Sequence, residues 1–291
     1  MEGVPSGIPV MIGRTAQAQQ DGRDVFKTAI RLRSLQQFEQ IFGSEVPSAA
    51  PDAGSVFDAA GLFFANGGKT CWIFSIGAAT DPLSAQGYAE ALKLIESLQE
   101  PDLLLLPELS SLGRKAYDVQ RDALHHCAAH VNRLFLTEPL ECLAGDSGFD
   151  WKAGVSDFRA GLGGIASEHA RAGAAYTPRL VLAGGRHVPA SAAVAGVIAR
   201  VDRMTNLLKP PAAVSLTGVA GLSHAIDDRT NESLNIDSQT GLSINAIRDF
   251  PGRGIMVWGA RTLTGNDPEW RYVPVRRFAT WLQSSVKNGI R

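Results

Sequence analysis

Four short segments of this 291-residue chain carry residue types whose spacing can do chemistry. Gly68-Lys69-Thr70 matches the end of a phosphate-binding loop, in which backbone amides and a lysine cradle phosphate at a helix N-terminus. That pattern needs a glycine where Phe63 stands, and a helix ends here before a strand begins, so a helix C-cap and turn is expected instead. Gly145-Asp146-Ser147-Gly148 copies the loop around a serine-protease nucleophile. Phe149 and Asp150 replace the glycine and proline that should follow, and a loop or Asx turn is expected. His126 and His130, one helical turn apart, can present two imidazoles to a metal ion, but no glutamate completes an HExxH pattern and the spacing suggests no third ligand. Both rings lie opposite Leu124 and Val131 and are expected in solvent. Asp227-Asp228 before Arg229 reads as a helix N-terminal charge pattern rather than a general acid–base pair. No catalytic, cofactor-binding or metal-ligating residue is assigned on these grounds, and no enzyme is expected.

Lys and Arg number 28 against 29 Asp and Glu, so the chain lacks the cationic excess of a dedicated nucleic-acid binder. Hydrophobic residues at 45% and charged residues at 20% exclude disorder and collagen-like repeats. Cys71, Cys127 and Cys142 have no paired spacing, which leaves neither a disulfide framework nor a CxxC zinc site and implies a reducing compartment. The start, Met-Glu-Gly-Val-Pro, lacks a basic region followed by an apolar core, and no apolar run reaches the ~18 residues of a membrane span. Cytoplasmic synthesis without a signal peptide, and no direct membrane insertion, are expected.

The elements that must position these residues alternate between apolar runs and helical patterns. This predicts an α/β fold, a largely parallel sheet with helices on its faces, plus a smaller α+β C-terminal region. Strands are expected over 8–12, 25–31, 71–76, 103–106, 133–137 and 179–182. Helices are expected over 34–43, with Ser34 as N-cap and Gly43 as stop, and over 55–65, 88–98, 117–131 and 191–203. Gly161, Gly163 and Gly164 interrupt a helical pattern over 153–170, while 47–54 and 139–152 read as loop. Lys209-Pro210-Pro211 breaks the pattern and divides the chain into 1–210 and 211–291. Beyond it, strands are expected over 243–247 and 255–258, then a helix over 274–288 with Val275, Phe278, Ala279, Leu282 and Val286 in register on one face.

The positive signal lies in the C-terminal quarter. The block NAIRDFPGRGIMVWGARTL (245–263), continued by DPEWRYV (267–273) and Val275-Arg276-Arg277, resembles the signature of contractile tail sheath proteins. This family includes the sheaths of myophages, R-type pyocins and extracellular contractile injection systems. Residues 34–43 with 59–76, reading FFANGG and then an apolar strand, are similar to its early helix-turn-strand unit. AVAGVIARVDR (193–203) followed by Pro211 is similar to its middle, and 219–222 and 232–235 match more loosely. Physical chemistry explains part of the block. Gly252 and Gly254 suit a turn with φ > 0 between two strands, and Pro251 sets its entry. Trp258, Trp270 and Tyr272 read as core more than interface. Arg248, Arg253, Arg261, Arg271, Arg276 and Arg277 are either a solvated or internally paired set, or a candidate interface toward a neighbour or an inner tube.

The resemblance implies a structural subunit of a contractile tail or injection-system sheath, which assembles around an inner tube and drives contraction without nucleotide hydrolysis. Its implied partners are other sheath subunits, an inner tube protein and baseplate or cap components, with no cofactor and no nucleic acid. Its implied place, after cytoplasmic synthesis, is a phage tail or tail-like particle. A sheath-like minor adaptor at the cap or baseplate end is one alternative, and an α/β ligand-binding protein or enzyme is another. Family members carry an N-terminal arm before the segment matching 3–13 and further sheet, helix and arm after the segment matching 275–291. These arms add strands to neighbouring subunits. This sequence shows neither, so a trimmed chain, or packing by surface contact alone, is expected.

Overall fold

The computed structural model describes residues 4–44, 54–130, 132–140 and 150–289. Val131, Cys142, the segment 145–148 and nearly all of the 47–54 loop lie outside the described residues. β1 (Pro9–Thr15) leads through a hairpin of β2 (Gln19–Gln20) and β3 (Arg23–Asp24) to β4 (Ala29–Leu32). The strand expected over 25–31 is therefore shorter and later. Lys27 adopts φ 56°, outside the extended region, and the Asp24 carboxylate accepts from the Phe26 amide at 2.8 Å, holding a turn there.

α1 (Leu35–Phe42) and α2 (Val56–Ala65) begin where their caps predict: Ser34 Oγ accepts from the Gln37 amide at 3.2 Å and Ser55 Oγ from the Asp58 amide at 3.0 Å. Each cap stabilises its helix by about 1 kcal/mol. Then come β5 (Cys71–Ala78), α3 (Ala85–Leu94), β6 (Leu103–Leu105), α4 (Ala116–Ala129) and β7 (Leu134–Thr137). The glycine-interrupted pattern resolves into α5 (Trp151–Leu162) and a single turn, α6 (Ser167–Ala170), with Gly164 at φ 75° between them.

β8 (Gly173–Thr177) was not expected from the pattern, yet it sits inside the main sheet between β7 and a later strand. Its sequence, GAAYT, is poor in β-branched residues because its surroundings leave no room. A Cβ on Gly173 would stand 2.3 Å from Leu124 Cδ2 and 3.1 Å from Leu263 Cδ1. The strand expected over 179–182 is only β9 (Leu180–Val181), which pairs with β10 (His187–Val188) and β12 (Gly221–Leu222) in a separate small sheet. α7 (Ser191–Met204), β11 (Val214–Ser215), α8 (Asp228–Asn235), β13 (Ile244–Phe250), β14 (Gly254–Val257) and α9 (Val273–Gly289) complete the chain.

The nine-stranded sheet runs β11-β14-β13-β8-β7-β6-β1-β5-β4. Every pair from β13 to β5 is parallel, and antiparallel strands close both edges. The α/β expectation thus holds, and the strands of 211–291 extend the sheet begun by 1–210. Side-chain alternation splits the core into two layers. Met11, Leu103, Leu105, Leu134, Leu136 and Tyr176 meet α1, α2 and α7 on one face. Val10, Ile12, Leu104, Phe135 and Ala175 meet α3, α4 and α5 on the other.

The β13–β14 turn has the conformation its glycines predict, with Gly252 at φ 74° and Gly254 at φ 76°, and a Cβ on either would meet no atom within 4 Å. Strain there is confined to the backbone. Gly252→Val and Gly254→Val are each expected to lower stability by about 1–2 kcal/mol with the fold retained. Thermal unfolding reads this directly, and unchanged midpoints would mean the turn relaxes at no cost.

Candidate functional site

α9 lies across the end of the sheet where the parallel strands begin. Asp102, just before β6, accepts from the amides of Gly7 at 3.0 Å and Ile8 at 2.7 Å, which precede β1. Arg277 reaches the same carboxylate at 2.8 Å and grips Asp202 of α7 through two bonds, at 2.6 and 2.9 Å. Burial alone would lower the Arg277 pKa, but Asp202 and Asp102 outweigh it and raise the value, so the guanidinium stays charged. Trp281 Nε1 donates to the Val4 carbonyl at 2.7 Å, and Ser285 Oγ accepts from the Val4 amide at 3.2 Å.

The buried face of α9 is therefore largely polar: Arg276, Arg277, Thr280 and Ser285 are all buried. Its apolar stripe points outward, with Val275, Leu282 and Val286 exposed by 41%, 47% and 41%. An amphipathic helix ordinarily turns such a stripe to its own core. Here the buried carboxylates of Asp102 and Asp202 require a cation, and satisfying them sets the rotation of the helix.

The six arginines of the candidate interface divide by environment. Arg276 and Arg277 are internal, and burial pushes the Arg276 pKa down to about 10, with Arg171 adding to the shift. Arg248 pairs with Asp228 at 2.8 Å and lies over Phe250 and Trp258, 5.1 and 5.9 Å from the ring centroids. Arg253 is exposed at the tip of the β13–β14 turn. Arg261 and Arg271 flank Tyr272 at 5.5 and 5.4 Å. No single exposed face holds all six. Trp258 and Tyr272, expected in the core, are exposed, and Trp270 is half-buried. Guanidinium groups stacked on Trp258 and Tyr272 cover part of each ring at the surface, which replaces core packing for these residues.

The other chemical segments take mostly structural places. α2 ends at Ala65 and Lys69 is exposed in the turn before β5, while Asp227 caps α8 by accepting from the Thr230 amide at 2.7 Å. Cys71 and Cys127 are free thiols whose pKa burial pushes up to about 12. His126 is not in solvent as expected. It is buried, its Nε2 accepts from Arg133 Nη1 at 2.6 Å, and burial, Arg133 and His130 together push its pKa down to about 3. The helix periodicity placed it away from Leu124, but Arg133 and the end of α3 cover that side. The turn after α3 also supplies a residue that spacing could not suggest: Glu96 comes within metal-ligand range of His126 and His130.

Among the described residues no helix is long and apolar enough to cross a membrane. No protein-family model matches the sequence, and no curated protein matches it. Solved structures do match along its whole length. A chain of the anti-feeding prophage helical sheath in its contracted state is 26% identical, with a TM-score of 0.75 over 99% of this chain and 71% of that one. A chain of the anti-feeding prophage baseplate is 25% identical, with a TM-score of 0.73 over 98% of this chain and 70% of that one. The sheath tail protein of Desulfitobacterium hafniense shares the fold at 9% identity, with a TM-score of 0.65 over 99% of this chain and 81% of that one. The fold and the full-length likeness to contractile-particle chains together support a structural subunit of the contractile sheath family.

Proposed function

We propose that this subunit packs with further copies around an inner tube, and that its role is mechanical, with contraction driven by rearranged contacts rather than by nucleotide hydrolysis. The outward apolar stripe of α9 carries the reading, because a helix that buries arginine and exposes valine and leucine presents a surface for another molecule to cover. Arg253 at the tip of the β13–β14 turn, Arg248 beside Trp258, and Arg261 and Arg271 beside Tyr272 are further candidate contact positions. Aromatic and arginine side chains are the types enriched at interfaces. Arg277 instead holds α9 in place through Asp102 and Asp202, and Arg276 is buried beside it. Synthesis in the cytoplasm, incorporation into a tail-like particle and contacts with baseplate or cap components belong to the same proposal.

The likeness to an anti-feeding prophage baseplate chain supports a second reading, a sheath-like adaptor at one end of the particle. Gold labelling of the tagged chain in purified particles separates the two by electron microscopy. Label along the length is expected for the main subunit and label at one end for the adaptor. A chain that never enters a particle would defeat both.

A further inference from the structure

Glu96 stands in the turn after α3, and His126 and His130 stand one turn apart near the end of α4. Each offers a ligand atom within 4.8 Å of the others, and the two imidazole rings lie 4.4 Å apart between centroids. His126 is buried and fixed, His130 is half-buried and Glu96 is exposed. A tetrahedral zinc site places donors about 2.0–2.2 Å from the ion, hence roughly 3.4 Å from one another. The two less buried side chains can move to close that gap, while burial holds the His126 ring in place. His130 also forms part of the wall of a cleft of about 450 Å³, shared with Leu98, Pro101, Asn132, Ser284 and Lys287. The cleft borders the cluster at His130 and Arg133, and exposed Glu96 opens the cluster to solvent, so an ion and a water in its fourth position have access.

We propose that Glu96, His126 and His130 form a binding site for a divalent transition-metal ion, one that ties the turn after α3 to the end of α4. Two imidazoles and one carboxylate suit zinc, cobalt, nickel or copper better than calcium or magnesium. Arg133 sets the strength of the site. An arginine can only donate, so the 2.6 Å contact makes His126 Nε2 the acceptor, and the ion must displace Nη1 to use that lone pair. The guanidinium remains close by, because the carbonyls of Pro101, Ile95 and Leu98 also accept from it. Its charge opposes the ion, and Glu96 offsets it. Weaker binding than in a closed structural zinc site follows.

The test uses the full chain without a histidine tag, stripped of metal with chelator and titrated with zinc by calorimetry. Cobalt titration followed by visible absorption reports the coordination geometry. One zinc per chain is expected, with binding weakened about tenfold or more in both Glu96→Gln and His130→Ala. Circular dichroism checks that these partly exposed positions leave the fold unchanged. His125 and His169 form the other close imidazole pair, stacked at 4.0 Å, so His169→Ala should bind zinc like the parent. Absence of stoichiometric binding overturns the proposal. So does zinc affinity that survives both Glu96→Gln and His130→Ala, or that is lost in His169→Ala while His130→Ala retains it.

Discussion

Arg277→Met is expected to destabilise the subunit by about 3–5 kcal/mol, the range for removing one partner of a buried ion pair. Arg277 is 5% exposed at its side chain, and its partners Asp102 and Asp202 are 7% and 5% exposed. Methionine fills much of the same space but removes the cation bonded to both carboxylates, leaving Asp102 only the charge of nearby Arg133 in a place with little water. Asp102 retains its bonds from the Gly7 and Ile8 amides, whereas Asp202 loses both bonds from Arg277. Arg277→Lys keeps a charge but cannot span both carboxylates with a planar fork, and a smaller loss is expected. Denaturant unfolding of the three proteins orders them parent, lysine variant, methionine variant. A methionine variant within about 1 kcal/mol of the parent would show that the ion pair does not hold α9 against the sheet.

Leu282→Glu combined with Val286→Glu is expected to leave the subunit folded and abolish its assembly. Both side chains are already exposed, so the substitutions should change monomer stability by about 0.5 kcal/mol or less at each site. In an assembled interface the same carboxylates would be desolvated without partners, which costs several kcal/mol at each copy of the contact. Sedimentation and electron microscopy of particles made with the variant separate the two effects. Lys69→Glu, at an exposed turn far from α9 in sequence, is the charge-changing control and should assemble normally. Variant subunits that still form full-length tubes would remove the α9 stripe from the interface.

The local structure was largely readable before folding. Ser34 and Gly43 delimit α1 because their side chain and backbone preferences act within a few residues, and the glycines at 252 and 254 act within one turn. The alternation of apolar strands with helical stripes requires crossover connections, and hence a parallel sheet, whatever the strand order. β8 was not readable. Its small residues answer to Leu124 and Leu263, which approach it from distant points in the chain. Likewise nothing near His126 in sequence announces the contribution of Glu96.

α9 marks the same division most sharply. Its sequence determined a helix with an apolar stripe on one side and Arg276 and Arg277 on another, since 3.6 residues per turn sort side chains into faces before any neighbour is present. Which face turns inward depends on what the rest of the chain presents, and only the tertiary structure brings Asp102 and Asp202 together beneath that helix. Two buried carboxylates without a cation would cost more than leaving valine and leucine in water, because charge desolvation exceeds the burial energy of a few aliphatic groups. The sequence therefore determined the family block, the helices and the turn, while the folded sheet decided that the arginines are internal and the apolar stripe is the outer surface.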